Sequence, residues 1–217
     1  MEKPDTSVAY IGKQLQILEV AEKLFSEHGF EGTSVRDIAQ EAGVNVAMIS
    51  YYFGSKEKLL QAVFVRRMSA GRLVLEHILN DKKMHPLEKI DALIEGMVDR
   101  MMQHKNFHKI VLQSQLTTDN EEVARIITET KTKNLEIVNK IIAEGQRKKV
   151  FVRGIDAALL MMTVSGTIYQ ATAGSIYFRI AYPGEDLNEN GYTDLVKKKL
   201  KTHLKRIIKA ALTYEGK

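Results

Sequence analysis

Apolar residues recur every three or four positions along most of this chain, and that spacing predicts helices with no strand alternation. Leu15, Leu18, Ala21 and Phe25, flanked by Ile17 and Leu24, mark a first helix over residues 12–28, which Gly29 stops. Thr33 or Ser34 caps a short second helix with Val35, Ile38, Ala39 and Ala42 on its inner face, and Gly43 ends it. Asn45 caps a third helix running to about Tyr52, and Ser55 a fourth running to about Leu79. Pro86 suits the first position of a fifth, which carries Ile90, Leu93, Ile94, Met97, Val98, Met101 and Met102. Similar spacing predicts helices over 105–115, 121–148, 154–180 and 193–213, with a Pro- and Gly-containing loop over 182–191. The expected fold is all-α with about nine helices. A three-helix head over residues 8–58 precedes a larger helical domain over 59–217.

Composition narrows the function classes. The chain has 217 residues, 44% of them apolar, enough for one good core or two small ones. Three prolines leave room for long helices, and the absence of cysteine removes disulfides and thiolate metal sites and suits the cytoplasm. The first residues are too polar for a signal peptide, and no apolar run reaches the length of a membrane helix. The net charge of +5 suggests a nucleic-acid partner, but its placement does not. Residues 1–60 hold six basic and nine acidic side chains, and the surplus of lysines lies near residues 197–209. DNA binding has to be argued from local geometry.

That geometry lies in residues 33–53, TSVRDIAQEAGVNVAMISYYF. Two short helices crossing at a tight turn need a small residue at the crossing, a left-handed turn residue and apolar plugs on the second helix. Ala39, Gly43, Val44 and Ile49 meet those needs. On the outward side Val46, Ala47, Ser50 and Tyr51 share one face, as a recognition helix requires. Val46 and Ala47 suit contact with thymine methyls, and Asn45 or Tyr51 a hydrogen bond to base or phosphate. Thr33, Ser34 and Arg36 open the preceding helix and Lys56 opens the fourth, where amides and cationic groups meet phosphates.

Phe25, His28-Gly29, Gly32-Thr33, Ile38-Ala39, Ala42-Gly43-Val44, Tyr52-Phe53, Ser55-Lys56-Glu57 and Leu59 stand in one register that resembles the TetR (tetracycline-repressor-like) family of regulators. The resemblance covers about residues 12–62. It implies a helix-turn-helix head, a helical effector domain and a dimer built on the last two helices. It carries DNA contact to Thr33, Ser34, Arg36, Asn45, Ala47, Met48, Tyr51, Tyr52 and Lys56. Ser50 stands where members often have Tyr, and Val46 where a polar or basic residue is frequent.

The last two predicted helices each carry a broad apolar stripe, so two copies would form a four-helix bundle across a two-fold axis. Met162, Ser165, Ile168, Tyr169, Thr172, Leu200, Leu204, Ile207 and Ile208 are the interface candidates. Such a homodimer predicts a pseudo-palindromic operator on double-stranded DNA. For a small, largely apolar effector, Met97, Met101, Met102, Phe107, Met161 and Tyr169 are candidate contacts, with Gln115 and Tyr177 as polar ones. His104 and His108 stand at i, i+4, but no third ligand accompanies them, and neither metal nor cofactor is expected. No catalytic constellation supports an enzyme. The reading is a DNA-binding transcriptional regulator, a repressor released by its effector; the alternative is a helical ligand- or partner-binding protein that does not bind DNA.

Overall fold

In the computed structural model, residues 10–117, 120–172, 176–183 and 189–213 are described. Ten helices lie among them: α1 (Lys13–His28), α2 (Val35–Glu41), α3 (Val46–Phe53), α4 (Lys56–Asn80), α5 (Pro86–Gln103), α6 (Lys105–Thr117), α7 (Glu121–Arg147), α8 (Ala157–Thr172), α9 (Ile176–Ala181) and α10 (Glu189–Thr213). The single eighth helix expected over 154–180 is represented by α8 and α9. Residues 173–175, and 184–188 of the expected loop, lie outside the described residues. The start of α8 is set by Asp156, whose carboxylate accepts from the amides of Ala158 (2.8 Å) and Leu159 (3.0 Å).

The chain divides into two compact units. The first comprises residues up to Arg72 together with Asn106–Lys131. Its core gathers Ile17, Leu18, Ala21 and Phe25 of α1, Ile38 and Ala39 of α2, Ile49 and Phe53 of α3, and Leu59, Val63 and Phe64 of α4. Phe107, Ile110 and Val111 of α6 and Val123 and Ile127 of α7 complete it. The expected boundary after residue 58 therefore falls inside a packed core, because Leu59, Val63 and Phe64 are buried with the head. Two ion pairs also join α1 to α4. Glu22 takes a bidentate contact from Arg67 (2.7 and 3.2 Å), and Glu19 pairs with Arg66 (3.2 Å).

The second unit holds residues 73–105 and 132–217. Here α5 packs against both α8 and α10. Ile90, Leu93, Ile94, Val98, Val138, Ile141, Val164, Ile168, Leu200, Leu204 and Ile208 form its interior. The end of α7 folds tightly on itself: the Phe151 ring lies over Gly145, where a methyl group would come within about 2.0 Å of a ring carbon. The Gly145 carbonyl also accepts from the amides of Val150 (2.9 Å) and Phe151 (3.3 Å).

Candidate DNA-binding surface

The helix-turn-helix is assembled by local rules. Ser34 is the cap of α2: its hydroxyl accepts from the Asp37 amide (3.1 Å), and the Asp37 carboxylate accepts from the Ser34 amide (2.9 Å). The Ser34 hydroxyl and then its amide hold the Asp37 carboxyl below the usual carboxylate range. Gly43 takes φ +58°, the left-handed conformation that lets the chain reverse between α2 and α3. The Val44 amide then donates to the Ala39 carbonyl (3.0 Å), and Ile49 is buried under the crossing. Asn45 caps α3, its side-chain oxygen accepting from the Ala47 amide (2.9 Å).

The expected contact residues separate into two groups. Ser34, Arg36, Asn45, Val46, Ala47, Ser50 and Tyr51 are exposed, with Tyr51 at 84% the most open large hydrophobic side chain of the head. Met48 and Tyr52 are half-buried; the Tyr52 ring meets Tyr51 edge-on at 5.3 Å and Phe53 at 6.3 Å.

Thr33, expected to help meet a phosphate through the amides that open α2, and Lys56, expected to do so through its ammonium, both have side chains that bond internally. Thr33 is only 2% exposed, and its hydroxyl donates to the Gly29 carbonyl (2.8 Å), with the Leu24 carbonyl at 3.2 Å. The Lys56 ammonium donates to the carbonyls of Phe30 (2.9 Å) and Thr33 (3.1 Å) and sits 4.2 Å from the Phe30 ring centroid. Both side chains are committed to the turn between α1 and α2. Their spacing in the sequence carries no sign of this, because the partners are backbone carbonyls and one of them lies 26 positions away.

Two family models match the chain. One, for bacterial regulatory proteins of the tetR family, covers residues 17–63; the other, a tetracyclin repressor-like C-terminal domain, covers residues 86–200. The chain belongs to the TetR family. Among similar TetR-type regulators is the probable HTH-type transcriptional regulator YttP of Bacillus subtilis, 30% identical over 63% of this chain and 66% of its own. The fatty acid metabolism regulator protein of the same organism is 29% identical over 72% of this chain and 79% of its own. The solved structure of the transcriptional regulator FadR from Bacillus subtilis in complex with stearoyl-CoA superposes with a TM-score of 0.64. It is 25% identical and covers 88% of this chain and 96% of that one. The ketosteroid transcriptional regulator KstR2 of Mycobacterium tuberculosis, 18% identical, shares the fold with a TM-score of 0.72 over 97% of this chain and all of that one. As a TetR-family member the protein is a DNA-binding transcriptional regulator. Relatives of this kind are regulators and not enzymes, and the alternative of a helical binding protein without DNA falls away. Among the described residues no helix is long and apolar enough to cross a membrane.

In the second unit the structure redistributes the expected residues. Ile168, Leu200, Leu204 and Ile208, expected at a dimer interface, are buried in their own subunit's core, which accounts for their helical spacing. Ile207 packs partly against that core, and Ser165 and Thr172 are half-buried with hydroxyls donating to the carbonyls of Met161 (2.8 Å) and Tyr169 (2.9 Å). Of that set only Met162, 66% exposed, is open, and Leu159 of α8 and Ile176, Tyr177 and Ile180 of α9 are exposed like it.

The expected effector contacts are likewise divided. Met97, Met101 and Met102 are core residues of the second unit, and Met161 and Tyr169 pack partly buried against that core. Burial pushes the Tyr169 hydroxyl above the ordinary tyrosine range. Phe107 belongs instead to the first unit's core, edge-on to Phe64 at 5.3 Å. Gln115 is exposed, and Tyr177 is 72% exposed on α9, so neither is enclosed as a pocket contact would be. A groove of about 530 Å³ between α5 and α10 is lined by Glu95, Asp99, Asp194, Lys197, Lys198, Lys201, Thr202 and Lys205, and none of the expected apolar positions borders it.

Proposed function

We propose that this TetR-family protein is a homodimeric repressor that holds a pseudo-palindromic operator with the exposed face of α3 and leaves it when a ligand with a long apolar tail binds the second unit. The observation that carries the DNA side is the open face of Val46, Ala47, Ser50 and Tyr51 on a helix capped by Asn45 and buried behind by Ile49 and Phe53. Arg36, exposed on α2 and without a hydrogen bond or ion pair among the described residues, supplies a phosphate contact. The exposed apolar residues of α8 and α9 support pairing of two copies.

The effector class is supported by three methionines, Met97, Met101 and Met102, in the second unit's core and by the stearoyl-CoA bound to the similar FadR. Unbranched thioether side chains repack around a flexible chain at low cost. Release requires the ligand to favour a conformation with lower operator affinity.

The test is selection of genomic fragments by the purified protein, with Tyr51→Ala and Arg36→Ala variants alongside. A palindromic sequence enriched by the parent and lost by the variants is expected. Titration with stearoyl-CoA then releases the recovered operator. No enrichment at low salt by a folded dimer would sink the DNA reading; an operator indifferent to stearoyl-CoA would sink the effector class alone.

A further inference from the structure

We infer that Lys56 is a positioning residue for operator binding, acting through the α1–α2 turn and not by neutralising a phosphate. The inference rests on the operator-binding reading above. An ammonium group has three protons to give. Two go to carbonyls at either end of the turn, Phe30 and Thr33, and the charge faces the Phe30 ring. Charge-assisted hydrogen bonds of this kind are stronger than neutral ones. Lys56 is the first residue of α4, so one side chain ties the turn to the start of that helix. From the other side, the Thr33 hydroxyl ties the same turn to Gly29 and Leu24 at the end of α1.

The clamp has consequences for α3. Helix α2 begins directly after the clamped turn, and Ile38 and Ala39 carry it against the buried face of α3. The placement of α3 against α4 is therefore set twice. One path is the short link Phe53-Gly54-Ser55; the other runs through Lys56, Thr33 and α2. Recognition through short side chains such as Ala47 and Ser50 leaves little slack, because these residues reach base edges only when the helix backbone itself lies deep in the groove. Losing the second path loosens that placement. Arg36 provides the contrast, an exposed cation with no internal acceptor among the described residues.

The experiment compares the full-length protein with Lys56→Met and Arg36→Met on the recovered operator and on a duplex of unrelated sequence, over a salt series. Amide hydrogen exchange at Phe30–Ser34 is followed in the free protein. For Lys56→Met we expect about a tenfold loss of operator affinity. Affinity for the unrelated duplex and the salt slope stay unchanged, and exchange in the turn accelerates. For Arg36→Met both affinities fall and the slope drops by about 1.8, roughly 0.9 for each of the two heads. The inference is overturned if Lys56→Met behaves like Arg36→Met, or if a folded Lys56→Met matches the parent on both duplexes. Failure of the operator reading is seen separately, as no preferred sequence for the parent. In that case the positioning role falls with it, while turn exchange still decides whether the clamp exists.

Discussion

The carboxylate of Glu144 lies 2.9 Å from the ammonium of Lys89, a lysine only 2% exposed inside the second unit. The same ammonium donates to the Leu79 carbonyl (2.8 Å), and Glu144 also pairs with Lys148 (2.7 Å) at the surface. The two ends of this arrangement differ in what each loses on mutation. Removing Lys89 leaves Glu144 with Lys148. Removing Glu144 leaves a buried cation with one carbonyl. Glu144→Leu is expected to cost about 3 kcal/mol, the lower end for breaking a buried pair. Lys89→Met is expected to cost about 1–2 kcal/mol, the loss of charged hydrogen bonds without an orphaned charge. Urea unfolding of both variants and the double variant checks the order, and the double is expected to cost less than the two singles together.

Acid should weaken the same contact. Lys148, then Lys89, hold the Glu144 carboxyl below the ordinary glutamate range. A group whose folded pKa is depressed adds stability above its unfolded value, and that contribution is lost as pH falls through the folded one. The stability gap between the parent and Glu144→Gln is therefore expected at neutral pH and should close as pH drops below about 4. Unfolding curves measured across that range check it; a gap that stays constant into acid contradicts the assignment.

Much of this architecture was legible in the chain because it rests on local rules. The helix-turn-helix needs a small Ala39, a left-handed Gly43 and plugs at Val44 and Ile49, all read from spacing, and the structure has each in that role. What spacing does not carry is which copy of the chain a stripe faces. Leu200, Leu204 and Ile208 have the periodicity of an interface and are buried at home. Nor does spacing disclose side chains that bond to backbone far away, as Lys56 does, or a helix returning to the head, as α6 does with Phe107. The exposed face of α8 was partly readable: Met162, on that face, was an expected interface residue, and Leu159 beside it was not.

Thr33 and Tyr51 separate folding from recognition. Thr33→Val keeps the shape of the side chain and removes its hydrogen bonds to the Gly29 and Leu24 carbonyls, leaving buried acceptors. It is expected to lower stability by about 1–2 kcal/mol. Tyr51→Ala removes an open ring and is expected to leave the melting temperature within a degree or so while weakening operator binding. Calorimetry and operator titration on the two variants read the two axes independently. Equal loss of stability in both would contradict the exposure of Tyr51.

Gly145 is the sharpest steric site outside the head. A methyl group there would overlap the Phe151 ring, whose residue is buried, and the ring cannot swing out without exposing that surface. Gly145→Ala is expected to destabilise the second unit by about 1–3 kcal/mol, the cost of overpacking, in spite of the better helix propensity of alanine. Pairing it with Phe151→Ala relieves the overlap, so the double variant should lose less than the sum of the singles. Additive losses in urea unfolding would show that ring and glycine do not compete for the same space.

The proposed dimer is tested where the second unit is open. Met162 and Leu159 are exposed on α8, one turn apart, whereas Ile168 on the same helix is fully enclosed. If two copies meet through this face, a charge there must be desolvated on association without a partner, and association becomes unfavourable. Met162→Lys and Leu159→Lys are therefore expected to shift the protein toward monomer in sedimentation velocity while leaving its helical circular dichroism intact. Ile168→Ala should do the reverse, costing about 2–5 kcal/mol of stability by opening a cavity. Its effect on the association constant at a temperature where it stays folded should be small. A dimer that survives both lysine variants would place the subunit contact elsewhere. A monomeric parent would remove the reason for expecting a palindrome, because a single head reads one half-site only.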